Sequence, residues 1–145
     1  MSVERFLNPE EEKRVLEAIK LAEKNTSGEI RVHLETNCEG DVLERAQTVF
    51  GKLKMHKTKL RNGVLFYIAA DSHHFALLGD KGINSKVPAD FWNKTKEMVL
   101  TNFKNNEMAT GLEKGILEAG EQLKKFFPYQ SDDKNELSDE ISIGK

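Results

Sequence analysis

The chain has 145 residues, of which 38% are hydrophobic and 32% are charged, which is typical of one globular domain with a solvated surface. The formal net charge of -2 offers no basic excess for nucleic acid, and no segment approaches the roughly 18 consecutive apolar residues of a membrane span. One cysteine, Cys38, excludes an internal disulfide, and the N-terminus lacks the apolar core of a secretory signal, so we expect a cytoplasmic protein.

The first helix is marked by a cap, a proline and an acidic first turn. Asn8 can cap it, Pro9 suits its first position, and residues 10–12 are all Glu, which favours the positive end of the helix dipole. Residues 25–28, Asn-Thr-Ser-Gly, end this helix. The strict alternation of polar and apolar residues at 29–35 then predicts a half-buried strand.

The middle and end of the chain supply two more strands and three more helices. Asp41 and Glu44 form the pattern of a capping pair and open a second helix. The continuous apolar run 64–69 predicts a central strand covered on both faces, and residues 71–73 turn the chain into a third strand at 74–78. Helices are predicted at about 89–104 and 109–127.

This order predicts an α/β fold, a three-layer αβα sandwich with a small mixed β-sheet flanked by about four helices. The first two strands should be parallel with a right-handed crossover, and the third should return antiparallel. We assign residues 1–128 to this domain. Residues 129–145 are polar, lack periodicity, and are predicted to be a disordered tail.

Several short blocks occur in the order found in one known family. They are Ser-Gly-Glu-Ile-Arg-Val at 27–32, Arg-Asn-Gly-Val-Leu-Phe at 61–66 and Gly-Asp-Lys-Gly at 79–82. With them, residues 9–128 resemble the TPM domain family, also called the TPM phosphatase family. The resemblance implies an αβα sandwich, an acid phosphatase activity and bound calcium. The chain departs from the family pattern at Asp80, which places a carboxylate between the two glycines.

Two groups of oxygen-bearing side chains are candidate ligands for Ca²⁺ or Mg²⁺, which prefer carboxylates, amides and carbonyls on bending loops. Asp80 and Asn84 flank a glycine, and Glu29 should lie at the same edge of the sheet. The alternatives are a turn in which Asp80 and Asn84 bond local amides, and a salt bridge of Glu29 to a lysine.

The second group should gather at the opposite edge, where parallel strands end and ligands bind in open α/β sheets. Its members are Glu35, Glu39, Asp41 and Asp71. Several carboxylates at one edge repel one another, and a cation would relieve that repulsion. The alternatives are that Asp41 only caps a helix and that Asp71 only forms a turn.

We therefore expect a monomeric TPM-like domain that binds Ca²⁺ or Mg²⁺, the metal ordering loops at the sheet edges with a regulatory role. One alternative is a metal-dependent acid phosphatase, for which the sequence identifies no nucleophile or general acid. Cys38 precedes Arg45 by one residue too many for a cysteine-based phosphatase. A second alternative is a protein-interaction domain without metal. The expected partners are divalent cations and an unidentified protein, with no nucleic acid and no membrane.

Overall fold

The structure, a computed structural model, describes residues 6–129 and 141–144. The elements follow in chain order as α1 (Pro9–Asn25), β1 (Glu29–Glu35), α2 (Val42–Lys52), β2 (Gly63–Ala69), β3 (His74–Gly79), α3 (Lys81–Asn84), α4 (Asn93–Lys104), α5 (Met108–Lys124) and β4 (Ser142–Ile143). Within these residues no helix is both long enough and apolar enough to cross a membrane.

The strands form one mixed sheet in the order β3-β2-β1-β4. β1 and β2 are parallel and paired along their whole length, from Glu29 opposite Gly63 to Glu35 opposite Ala69. β3 returns antiparallel to β2, and β4 runs parallel to β1 on its other side. The parallel pair and the antiparallel third strand agree with the prediction from sequence.

Helices cover both faces of the sheet, so the predicted three-layer sandwich is confirmed. On one face, α1, α4 and α5 pack on side chains of β1 and β2 that include Val32, Val64 and Phe66. On the other face, α2 packs through Ala46 and Val49 on the alternate side chains of β2. β2 is buried at every position because it is covered on both sides.

Two local features differ from the prediction. α4 begins at Asn93 rather than near residue 89, because residues 89–92 form turns that bury the ring of Phe91 against Trp92 and Phe126. α3 is a short helix where the sequence predicted a loop. It begins there because the side chain of Asp80 accepts a hydrogen bond from the backbone N–H of Lys81.

The predicted disorder of 129–145 is wrong for residues 141–144. Ser142 and Ile143 form β4, and the side chain of Ile141 is only 8% exposed. The physical reason is that Ile-Ser-Ile alternates as an edge strand does, and the outer side of β1 offers it backbone groups to pair with. Residues 130–140 and 145, which the same prediction covers, lie outside the described residues.

Candidate functional site

The carboxylate of Glu35, the last residue of β1, is the centre of a buried polar network. It is 1% exposed and takes two hydrogen bonds from the guanidinium of Arg45 in α2, from Nε to Oε2 and from Nη2 to Oε1, both of 2.9 Å. The hydroxyl of Tyr67 also donates to Oε2, and Nε2 of His33 lies 3.0 Å from Oε1.

The sheet itself brings these groups together. His33 and Glu35 are two residues apart on β1 and therefore project from the same face. Tyr67 of β2 is the register partner of His33, and their rings stack with centroids 5.8 Å apart. α2 covers this face and supplies Arg45. The network therefore joins β1, β2 and α2.

The network fixes the protonation of its members. Burial alone would raise the pKa of Glu35, but the hydrogen bonds from Arg45, Tyr67 and His33 lower it to about 2. Burial and the bond to Glu35 raise the pKa of Tyr67 above its ordinary value. Burial lowers the pKa of His33 in spite of its contact with Glu35. At neutral pH the network therefore holds a carboxylate, a phenol and a neutral imidazole.

The tautomer of His33 follows from the charge on Glu35. An ionised carboxylate can only accept, so Nε2 of His33 carries the proton and donates to it. Nδ1 is then an acceptor, and the hydroxyl of Ser142 in β4, 2.9 Å away, is its donor. One imidazole thus links the carboxylate to the last strand of the sheet.

The acidic loops predicted to meet at the carboxyl edge do meet there. The backbone N–H of Asp71 donates to the carbonyl oxygen of Thr36 (2.8 Å), and the N–H of Cys38 donates to the hydroxyl of Ser72 (3.1 Å). The loop between β1 and α2 is therefore tied to the turn between β2 and β3. Glu39, Asp41 and Asp71 are all exposed on these two segments.

Two of these carboxylates already have hydrogen-bond partners within the protein, which reduces the number available to a metal ion. Asp41 caps α2, as the alternative interpretation proposed, with its Oδ1 accepting from the N–H of Leu43 (2.9 Å). Glu35 belongs to the same edge, but its carboxylate is buried on Arg45. Among residues 6–129 and 141–144, no three His, Cys, Asp or Glu side chains are grouped closely enough to hold a metal ion.

A cleft opens beside the tied loops. It has a volume of about 170 Å³, and the turn contributes Ala70 and His73 to its lining while the α4–α5 region contributes Phe103, Asn106 and Met108. The backbone of His73 has a left-handed φ of 57°, which the tight turn imposes.

At the opposite edge, Asp80 is held by an arginine. Nε and Nη2 of Arg61 donate to its two carboxylate oxygens at 2.7 Å and 3.0 Å, and the side chain is 6% exposed. Hydrogen bonding to Asp80 raises the pKa of Arg61. Nδ2 of Asn84 donates to the carbonyl oxygen of Gly79 (3.1 Å). Asp80 and Asn84 thus make the local hydrogen bonds of a structured turn.

The backbone at this turn is packed against the loop before β2. A β-carbon at Gly82 would collide with the carbonyl oxygen of Leu60 and lie 2.5 Å from that of Arg61. Glu29 lies at the same edge, as predicted, since it pairs with Gly63 and the N–H of Asp80 donates to the carbonyl oxygen of Gly63. Glu29 is 3% exposed.

The residues that bind the buried carboxylates of Glu35 and Asp80 were not identified from the sequence. Arg45 was considered only as the arginine of a cysteine-based phosphatase, and Arg61, Tyr67 and Ser142 were given no role in a site. The alternation on β1 was a usable signal, because it places His33 and Glu35 on one face. The rotation of α2 about its axis decides which of its side chains contacts His33 and Glu35. The alternating pattern of β1 does not determine that rotation.

Comparison with known proteins decides the family. The sequence profile of the TPM domain matches residues 2–122. The chain belongs to the TPM domain family. A similar solved structure is the NMR structure of the BA42 protein from the psychrophilic bacterium Bizionia argentinensis, which is 51% identical to this TPM domain. The match covers 99% of each chain with a TM-score of 0.93. No curated protein matches this TPM domain significantly.

Proposed function

We propose that this TPM domain binds a divalent cation, Mg²⁺ or Ca²⁺, at the carboxyl edge of β1 and β2, and that the cation orders the two loops there. The observation that carries the proposal is the backbone hydrogen bond from Asp71 to Thr36, which holds one acidic segment against another. In open α/β sheets this edge is the usual place for a ligand.

The charges at this edge support a cation. Glu39, Asp41 and Asp71 are exposed carboxylates on adjoining segments, and the guanidinium of Arg45 is already engaged by Glu35. Mg²⁺ is typically held by one or two carboxylates and keeps several waters, whereas Ca²⁺ takes more oxygens, including backbone carbonyls. Because no three such side chains are grouped among the described residues, the proposed site uses one or two of these carboxylates, and backbone carbonyls and water supply the remaining oxygens.

Glu35 and Asp80 are not part of the proposed site. Each carboxylate is buried and takes two hydrogen bonds from an arginine. A cation at either position would have to displace a guanidinium that already neutralises the buried carboxylate through two hydrogen bonds. Glu29 and Asn84, at the edge of Asp80, are left out of the proposed site, and the same titration tests the sequence-based prediction that they bind a cation.

The test is a titration of metal-free, isotope-labelled protein with Mg²⁺ and then Ca²⁺, followed by backbone amide NMR shifts. We expect saturable shifts in residues 36–42 and 70–74 and none in 80–84. Asp71→Asn should weaken the apparent affinity at least about tenfold, because one of few charged ligands is lost. Asp90→Asn, another exposed aspartate outside the two loops, is the matched control.

Two outcomes count against the proposal. One is a flat response to both metals, and the other is an unchanged affinity in Asp71→Asn. Shifts confined to residues 80–84, abolished by Asp80→Asn, would move the site to the opposite edge.

The phosphatase alternative has no observation in its favour among the described residues. Cys38 is 8% exposed, and the nearby guanidinium of Arg45 already donates two hydrogen bonds to the carboxylate of Glu35. Hydrolysis of a generic phosphomonoester, compared between the wild type and Asp71→Asn, tests it directly. Metal-dependent turnover that is lost in the variant would establish the activity.

A further inference from the structure

The outer side of β1, away from β2, accommodates a short peptide strand. Residues 141–144 occupy it, with Ser142 opposite His33 and Ile143 opposite Leu34 in parallel pairing. The N–H of Gly144 donates to the carbonyl oxygen of Leu34 (2.7 Å). The pairing covers two of the seven residues of β1, whereas β2 pairs with all seven.

The two isoleucines of this segment fill apolar positions. Ile141 is buried in the core cluster on the α1, α4 and α5 side of the sheet, and Ile143 packs partly against the same cluster. Residues that alternate along a strand point to the same face when they are two apart. An occupant of this edge therefore needs apolar side chains at its first and third positions.

The second position requires a hydroxyl. Nδ1 of His33 is an acceptor because Nε2 donates its proton to Glu35, and it lies 2.9 Å from the hydroxyl of Ser142. The side chain of His33 is 7% exposed, so an occupant without a donor would leave a buried acceptor unpaired. Ser or Thr satisfies it.

The fourth position accepts only glycine. A β-carbon at Gly144 would collide with Oε1 of Glu35 and lie 2.7 Å from Nε2 of His33. Neither atom can retreat easily, since Glu35 is held by Arg45 and Tyr67. The buried network thus forms the floor of the groove and restricts its last position.

We propose that this edge of β1 is a docking groove for an extended peptide with the pattern apolar, Ser or Thr, apolar, Gly, and that residues 141–144 occupy it in competition with such a peptide. Addition of a strand to a sheet edge is an established mode of peptide recognition, in which backbone bonds give affinity and side-chain positions give specificity. The resident segment is joined to the domain through residues 130–140, and a short covalent tether gives a local concentration on the order of millimolar. The chain is therefore its own inhibitor at this groove.

The test uses a fluorescent peptide with the sequence of residues 137–145 and the full chain carrying Gly144→Val, which expels the resident segment. By fluorescence anisotropy, the peptide should bind the variant at least about tenfold more tightly than the wild type, in which the groove is filled. A peptide with the same Gly144→Val change should bind neither. Gly51→Ala is the matched control chain, because a β-carbon there meets nothing within 4 Å, and it should behave as the wild type.

Equal affinity for wild type and variant, absence of binding to the variant, or equal binding of the altered peptide would each overturn the proposal. If Gly144→Val does not fold, the test uses the isotope-labelled wild-type chain instead. Unlabelled peptide is added in excess, and the amide resonances of the chain are followed by NMR. We expect the Gly144 amide resonance to move to its position in urea-unfolded chain while the resonances of β2 stay in place. A Gly144 resonance that does not move at saturating peptide would overturn the proposal. None of these measurements involves a cation, so their outcome is independent of the proposed metal site.

Discussion

Arg45 donates two hydrogen bonds of 2.9 Å to Glu35, and this contact joins the beginning of α2 to the end of β1. The carboxylate is 1% exposed, while the guanidinium side chain remains 33% exposed. The buried carboxylate of Glu35 therefore relies for its counter-charge on Arg45, whose side chain is partly exposed.

Removal of Arg45 should destabilise the domain more than removal of an exposed arginine. In Arg45→Met the carboxylate of Glu35 stays buried without its cation, and we expect a loss of about 2–4 kcal/mol in the free energy of unfolding. Arg14→Met is the control, because its ion pair with Glu113 is 37% and 33% exposed and should contribute at most about 1 kcal/mol. Urea unfolding measures both. Equal losses would show that burial of Glu35 does not govern the contact.

Stability should fall in acid because of Glu35. Its pKa is about 2 in the folded chain against an ordinary 4.5, so its contribution is complete above pH 4.5 and is lost as pH falls toward 2. The full span is on the order of 3 kcal/mol. Urea unfolding between pH 6 and pH 3 should show a shallower acid dependence in Glu35→Gln and in Arg45→Met than in the wild type. An identical dependence in all three chains would rule the network out as its source.

The pKa of His33 should rise when its contact with β4 is removed. Donation from Ser142 to Nδ1 stabilises the neutral imidazole, and burial does the same. In Ser142→Ala the donor is gone, so we expect NMR titration of the imidazole protons to give a higher pKa than in the wild type. His56, which is exposed, is an internal control within each spectrum. A pKa of His33 that falls or stays constant would contradict the assigned tautomer.

Gly82 and Gly51 form a matched pair for backbone packing. Gly82→Ala places a β-carbon against the carbonyl oxygens of Leu60 and Arg61, and backbone atoms must move. We expect a loss of about 2–3 kcal/mol in unfolding free energy. Gly51→Ala adds a methyl group in open space on α2 and should gain up to about 1 kcal/mol. Thermal or urea unfolding that ranks the two variants in the reverse order would refute the close approach at Gly82.

Local patterns in the sequence predicted most of the fold. Alternation at β1 and the apolar run at β2 each identify a strand from a few adjacent residues, and Asp41 marks the start of α2 by its own side chain. The first two strands were predicted to be parallel, and parallel strands have their carboxyl ends at one edge of the sheet. This is why Asp71 was correctly predicted to lie beside the loop after β1.

The parts that escaped prediction depend on partners distant in sequence or on rotation of an element. His33 meets Ser142 across 109 positions, and four residues of alternation were too few to identify β4. The two hydrogen bonds from Arg61 to Asp80 depend on the conformation of the loop before β2, in which Arg61 has a left-handed φ of 52°. A carboxylate on a loop has the same sequence pattern whether it binds a metal or an arginine.

The position of β4 also orders the folding of the domain. Paired residues of β1 and β2 are about 34 positions apart in the chain, whereas those of β1 and β4 are 109 apart. Closing the longer loop costs more chain entropy, and only two residue pairs form in return. We expect the helices and the first three strands to assemble first and β4 to dock last. Until it docks, Glu35 has a water-accessible side, and the sheet carries an open edge that could pair with another molecule. Residues 141–144, the last described residues to be synthesised, therefore close this open edge of the sheet.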